Sequence, residues 1–561
     1  MSPVAGSASD IAERSRRLRT PLLLGCVVLA LALSSRGFGD ETYVSLQGDM
    51  PRHLMNGVFF MDAVRDWPFG SIGEAAEYAR HYYARYPALS IGHHPFLIAL
   101  VEAPVFALLG VSVTSGRLVA MAFFAMGVVY MFRLVAELFD EWAGAAAAAV
   151  FASSAYLVEL AQGVMTETPA LSLLVAAAYY CHRFTVTQRP GAIYTATLLA
   201  AGSAWGKQLA VLALPGLVLY VWWQLGWRRL LRKDVIGATL LSAAIVAPLV
   251  PITLFLSPFN VAMATGFARS AGESGRPQLV MRAFGDSIAQ QFAVPVFIAA
   301  VVGLLLLLAR RHPAGWLAAG WIGSISVFLA LIAVAQESAR YSIYWVPAWA
   351  LCVGALSSRR IGSHSVVVGV LVFAAIALQV AMASRVVLAG ASGYEQAAQF
   401  VVENPRGSTV MFSGDVDTGF FSFFVRKHDS ARQAIVLRAD KLLTTSFMGT
   451  VSVEDRISDP SQIHELVRRF GIGYVVVEDR PSASTVQNWL LDDLKTARYV
   501  ERLRLPSHSI DVRLRNTSLI VYEVVDAVTA APDARLDIRL PLVSQQIDIP
   551  LSDLTGRKYL R

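Results

Sequence analysis

Charge is scarce in this chain. Only 16% of its 561 residues are Asp, Glu, Lys or Arg, whereas 55% are apolar, and the mean hydropathy is +0.51. Soluble domains carry about a quarter charged residues, so a soluble globular protein is excluded. The apolar excess equally excludes a disordered chain. Cysteine is nearly missing: Cys26, Cys181 and Cys352 lie in apolar runs at spacings that match no metal motif. A disulfide framework is therefore excluded, and the three read as small core residues. Before residue 385 lysine is confined to Lys207 and Lys233. There is no internal repeat or low-complexity stretch, and the first half has no G-x-G-x-x-G after a strand, hence no clear nucleotide-binding fold. The formal net charge of +7 would raise the question of nucleic acid in a soluble protein. Here the basic residues sit in short clusters between apolar runs, the pattern of membrane topology, and no nucleic-acid partner is expected.

What the chain does have is a series of apolar runs. The stretch SRRLRT (Ser15 to Thr20) leads into one from Pro21 to Leu33, and no small-residue cleavage site precedes the following GDE. This reads as a first transmembrane helix with its amino end in the cytoplasm rather than a signal peptide. A span needs about 20 mostly apolar residues. Further candidates lie near 117–136, 143–162, 168–184, 192–206, 208–225, 235–256, 288–309, 314–334, 340–357 and 362–384. The expectation is a polytopic α-helical membrane protein with about 11 spans, and up to 13. The run from Pro95 to Gly110 is short and carries Glu102 and Pro104. Basic clusters at Arg228/Arg229/Arg232/Lys233, Arg310/Arg311 and Arg359/Arg360, if all cytoplasmic, demand an even number of crossings between Asp40 and Glu167. That parity makes 95–110 an interfacial or re-entrant helix within a long first external loop, 37–116.

From Arg385 charges return and apolar runs shorten. Helix-like pieces (Tyr394–Val402, Ser461–Phe470, Thr485–Lys495) alternate with strand-like ones (Thr409–Phe412, Gln433–Leu437, Gly473–Val477, Ser518–Val524), an α/β pattern. The expected organisation is a cytoplasmic amino terminus (1–19), a transmembrane domain (20–384) and a soluble extracytoplasmic α/β domain (385–561). Arginine-rich, alanine-rich usage suggests a bacterium, hence its inner membrane.

Several residues are candidates for chemistry, each with a plainer reading beside it. Asp40 and Glu41 follow the first span directly, as a solvated helix end or as a general base with a neighbour that fixes a partner. In HYYARYPALSIGHHPF (His81 to Phe96), Tyr82 and Tyr83 suit an interfacial aromatic belt or a substrate platform. The paired His93 and His94 are candidates for a metal or a phosphate, although no second ligand pair is visible at helical spacing. Glu167, in GVMTETPAL, is either a residue favouring a helix start or an intramembrane functional carboxylate. Lys207 either snorkels at a helix end or offers a compact cation to a phosphate. Arg340 and Tyr341, in QESARYSIYWVPA, are expected on the same side, as is Arg269 in the 257–286 loop.

The order of these residues resembles the C-type integral-membrane glycosyltransferases. Within them it is similar to the branch of dolichyl-phosphate-mannose protein mannosyltransferases and bacterial aminoarabinose transferases acting on lipid A (glycosyltransferase family 39 type). The resemblance spans roughly residues 20 to 385. It implies Asp40 as the catalytic carboxylate with Glu41 beside it, Lys207 and Arg340 on the donor phosphate, and Glu167 as the third-loop acidic residue. His94 and Pro95 stand where the family has a basic residue before proline, often a lysine followed by two prolines, and Phe96 departs from that pattern. The implied reaction moves a sugar from a polyprenyl-phosphate donor to a glycan, lipid or protein acceptor on the extracytoplasmic side, with inversion. No cofactor is required, and a divalent metal is compatible with the paired histidines. The competing readings are a transporter, a noncatalytic cell-envelope scaffold and a ligase using a lipid-diphosphate donor.

Overall fold

The computed structural model describes residues 8–42, 49–90, 92–256, 276–331, 338–358, 366–414, 418–445, 454–482, 484–511, 513–526, 529–540 and 545–556. Its first helices are α1 (Ala8–Ser34), α2 (Met50–Asp66), α3 (Ile72–Arg85), α4 (Leu97–Leu109), α5 (Val113–Leu138), α6 (Glu141–Ala152), α7 (Ala155–Gln162), α8 (Glu167–Thr187) and α9 (Pro190–Gly206). The chain divides into two compact units. One comprises Met1–Arg36, Arg117–Leu254 and Asn260–Val387; the other comprises Gly37–Gly116, Phe255–Phe259 and Leu388–Arg561. The sequence reading kept 37–116 within the transmembrane domain, whereas the structure builds it into one body with the tail.

The first unit is helical. Among the described residues five helices are long and apolar enough to cross a membrane: Val113–Leu138, Gln208–Leu225, Lys233–Phe255, Pro313–Leu331 and Val366–Ala383. Two bent pairs raise this to seven: α6 with α7, bent by 60°, and Gln278–Gln291 with Val294–Ala309, bent by 109°. Of the other expected spans, α8 is long enough at 21 residues but carries Glu167, His182 and Arg183, and the rest are shorter or interrupted. The first bend falls at Ser153, whose hydroxyl donates to Ala149 O at 2.6 Å and so competes with the helical ladder. At the second, Ala293 N donates to the Gln379 side chain at 3.2 Å and a proline opens the next helix. Residues 340–357 divide into a short helix, a 3-10 turn at Ile343–Trp345 and a helix from Val346 to Ser357. Outward-facing apolar side chains such as Val366 (80% exposed) and Phe373 (74%) suit a lipid surface rather than water.

The second unit holds a five-stranded mixed sheet in the order β2-β1-β3-β5-β4. Its strands are β1 (Thr409–Ser413), β2 (Ile435–Arg438), β3 (Ile472–Glu478), β4 (Tyr499–Pro506) and β5 (Ser518–Val524). β1 runs parallel to β2 and β3, with Val410 opposite Tyr474, and β5 runs antiparallel to β3 and β4. The central β3, IGYVVVE, is buried along its whole length, as a strand covered on both faces must be. A hairpin of β6 (Arg535–Leu540) and β7 (Gln545–Pro550) adds to the same core. Segment 37–116 is tied to this domain by buried ion pairs. Arg426 grips Asp62 with bonds of 2.9 and 2.7 Å, Arg432 pairs with Asp66, and Arg85 donates to Arg432 O at 2.7 Å. The run at 95–110 forms α4, whose 13 residues rise only about 20 Å, short of a bilayer core. It packs on α2, with Glu102 buried against Gly57, where a side chain would collide with that carboxylate.

Candidate functional site

In the first unit α8 and α9 lie against each other, held by a Ser203 hydroxyl bond to Ala170 O at 2.6 Å. Gly206 makes the closest approach possible, because a Cβ there would fall 2.9–3.0 Å from Ala170. The geometry sets Lys207, the residue that ends α9, beside Glu167, the first residue of α8: Nζ lies 3.1 Å from Oε1. The same oxygen accepts from Arg340 Nε at 2.6 Å. Arg340 sits on the short helix Ser338–Ser342, which is fixed from below by Gln291. Its amide donates to Ala339 O at 2.8 Å and to the Ser342 hydroxyl at 2.7 Å. Glu167 is 1% exposed and the two cationic side chains 11% and 12%. One carboxylate thus gathers two cations in a largely enclosed place. Lysine has three donors and arginine five, and both are groups suited to binding an oxyanion. Tyr341, next in the chain, is half-buried with its ring 6.4 Å from that of Phe328.

Asp40 and Glu41, in the second unit, are adjacent in sequence but differently placed. Positive φ at Gly37 (72°) and Gly39 (85°) turns the chain at the end of α1, a conformation glycine adopts without strain. Asp40 is exposed, and its Oδ1 accepts from Thr42 N at 2.9 Å and Thr42 Oγ1 at 2.6 Å. Glu41 instead caps the start of α5: Oε2 accepts from Val113 N at 2.8 Å, and Oε1 from Thr114 N at 3.0 Å and Thr114 Oγ1 at 2.7 Å. Lys427, which sequence reasoning did not single out, reaches Glu41 at 3.1 Å and Glu395 at 2.6 Å. Both oxygens of Glu41 are thus engaged by neighbouring groups.

Tyr78, Tyr82 and Tyr86 form one buried stripe. The hydroxyls of Tyr78 and Tyr82 donate to Asp66 at 2.8 Å and Asp62 at 2.7 Å, and that of Tyr86 to Asp429 at 3.3 Å. Burial and the neighbouring carboxylate hold the Tyr82 hydroxyl well above its usual pKa, so it stays a neutral donor. Tyr82 is thus buried, and Tyr83 packs half-buried on the core of the tail domain. His94, expected on a phosphate, is buried, with Nε2 3.5 Å from Asp49 Oδ1. Asp49, His53 and His94 each offer a ligand atom within 4.8 Å of the others, a set suited to a metal ion. His93 is outside that set, its ring 4.4 Å from that of His94. The D-x-x-x-H spacing in GDMPRH was the sequence signal that could have located the missing ligands. Arg269 lies outside the described residues.

Residues 93–252 match the family model described as dolichyl-phosphate-mannose-protein mannosyltransferase. The fold is that of the C-type membrane glycosyltransferases, and the resemblance read from the sequence stands. Among solved structures, ArnT from Cupriavidus metallidurans bound to undecaprenyl phosphate is 13% identical, with 92% of this chain and 100% of that chain covered and a TM-score of 0.53. The apo state of the same protein gives 12% identity, coverage of 92% and 99%, and a TM-score of 0.54. The Archaeoglobus fulgidus oligosaccharyltransferase in complex with Zn and sulfate is 10% identical, with coverage of 82% and 68% and a TM-score of 0.50. No curated protein matches the sequence.

Proposed function

We propose that the chain is a membrane glycosyltransferase that takes a sugar from a polyprenyl-phosphate donor and passes it to a glycan, lipid or protein hydroxyl. The observation that carries this reading is the buried Glu167–Lys207–Arg340 cluster, in which one carboxylate gathers two cations. Lys207 and Arg340 stabilise the charge that develops on the departing phosphate, and Glu167 fixes both cations in place beforehand. Asp40 takes the proton of the acceptor hydroxyl as its oxygen attacks the anomeric carbon. A single base and an in-line leaving group need no covalent intermediate, so the configuration inverts. Glu41 contributes by anchoring the turn that presents Asp40. Two similarities support the choice of donor: the mannosyltransferase family model over residues 93–252, and a fold shared with a protein solved with undecaprenyl phosphate.

In this reading the enzyme is a multi-pass protein of a bacterial inner membrane, with its active face and the 385–561 domain outside the cytoplasm. A transporter fits less well, because transporters are commonly built from internal repeats with charges near the bilayer midplane, whereas this sequence has no internal repeat. The test is turnover by purified protein of a polyprenyl-monophosphate sugar, with the diphosphate analogue in parallel. The reading expects the monophosphate to be consumed with release of polyprenyl phosphate. Consumption of the diphosphate alone would assign a ligase instead, and turnover of neither would favour a transporter or scaffold.

A further inference from the structure

We propose that Asp49, His53 and His94 bind a single divalent transition-metal ion of the zinc class. The inference rests on these residues alone and is independent of the transferase reading. Asp49 is the residue before α2 and His53 lies one turn inside it, so the two point to the same side at the i, i+4 spacing that chelating pairs use on a helix. His94 comes from the turn before α4, with Nε2 3.5 Å from Asp49 Oδ1 and its ring centroid 4.9 Å from that of His53. A tetrahedral ion with bonds of about 2.0–2.1 Å sets its ligand atoms roughly 3.3 Å apart. The Asp49–His94 separation already matches, and the widest spacing of up to 4.8 Å closes by side-chain rotation.

Burial strengthens the case. His53 is 1% exposed, His94 7% and Asp49 9%, so the three ligand groups are shielded together from bulk water, where an ion competes least with hydration. Arg52 Nη1 also reaches Asp49 Oδ1 at 3.4 Å, which a carboxylate with two oxygens can accept alongside a metal.

The site is also held in advance by neighbours that are not ligands. Asn56, one turn beyond His53, donates to the Ser90 hydroxyl at 3.0 Å and accepts from Ser90 N at 3.1 Å. Ser90 O in turn accepts from the amides of His93 at 3.0 Å and His94 at 3.3 Å. This two-way clamp presses the His94 turn against α2, as a supporting shell does around metal ligands. Two imidazoles with one carboxylate favour zinc, iron or cobalt over magnesium and calcium, which prefer all-oxygen sets. Three protein ligands also match the count of sites that keep one coordination position open.

The experiment uses full-length protein in detergent, stripped with a chelator and titrated with Co2+, followed by absorption in the visible d–d region. The expected result is one Co2+ per chain with the intense bands of a low-coordinate site, displaced by Zn2+ and not by Mg2+. Asp49→Asn and His53→Gln abolish the signal, His93→Gln retains it, and Asn56→Ala weakens Co2+ binding about tenfold or more. If His53→Gln does not fold, the wild-type titration and Asn56→Ala decide the matter. Absence of Co2+ binding to the wild-type protein overturns the proposal. So does a signal that survives Asp49→Asn and His53→Gln, or one that Asn56→Ala leaves unchanged. Because no turnover is measured, failure here leaves the transferase reading standing.

Discussion

Arg340 Nε donates to Glu167 Oε1 at 2.6 Å, a bond between residues 173 positions apart in the chain. Lys207 approaches the same oxygen at 3.1 Å, so one buried carboxylate organises two cations. Removing the carboxylate takes from both enclosed cations the partner they share. Glu167→Gln is expected to lose about 3–5 kcal/mol of stability. A thermal or denaturant scan of the purified variant checks this, and an unchanged midpoint would mean that the cluster is more solvated than its 1% exposed centre implies.

Lys207→Met separates function from folding. The replacement keeps the length of an unbranched side chain and removes the compact charge. Transfer is expected to fall roughly a hundredfold or more, the usual loss when one donor to a developing oxyanion is removed. The effect belongs in kcat, because the charge on the leaving phosphate grows in the transition state.

The ion pair of Arg426 with Asp62, at 2.7 and 2.9 Å, ties segment 37–116 to the tail domain. Asp62→Ala strands a buried guanidinium and is expected to cost about 3–5 kcal/mol, whereas Asp62→Leu with Arg426→Met costs much less, since neither charge is left unpaired. A double-mutant cycle on chemical unfolding reads the difference.

Lys441 lies in the tail domain, where burial, aided by Arg438, Arg52 and Arg456 nearby, pushes its pKa down to about 8. In the unfolded chain a lysine titrates near about 10.4, so between these values the unfolded state binds more protons and stability rises with pH. Below pH 8 both states are protonated and the cost of the buried charge is fully present. Lys441→Met is therefore expected to be more stable than wild type below pH 8, with the advantage fading toward about pH 10.4. Unfolding midpoints measured across that range test it.

The tail was largely legible in the sequence, because its helices and strands carry local signals. The apolar runs gave β1, β2, β3 and β5 to within two residues, and the helix from Tyr394 to within one. β4 was missed because its exposed, charge-bearing edge pattern, YVERLRLP, has no continuous apolar run. In the helical unit, hydropathy located the helices but not their breaks, which depend on side chains such as Ser153 and Gln379 bonding to backbone. Glu167, Lys207 and Arg340 could be found because ionisable residues are rare in apolar surroundings. Their convergence was not legible, since it depends on Gly206 letting α9 close on α8. Lys427 gave no sign, and Asp49 and His53 only their D-x-x-x-H spacing: their partners lie 386, 45 and 41 residues away along the chain, and the pairing exists only after folding.

The most direct measurement is release of polyprenyl phosphate from a polyprenyl-monophosphate sugar by three purified proteins: wild type, Asp40→Asn and Lys207→Met. Asp40 is exposed in a turn that it closes with Thr42, and asparagine can keep those bonds, so the fold survives while the base is lost. The account predicts steady turnover by the wild type, a loss of roughly a thousandfold in Asp40→Asn with an unchanged melting curve, and a smaller loss in Lys207→Met. Undiminished turnover by both variants would contradict it.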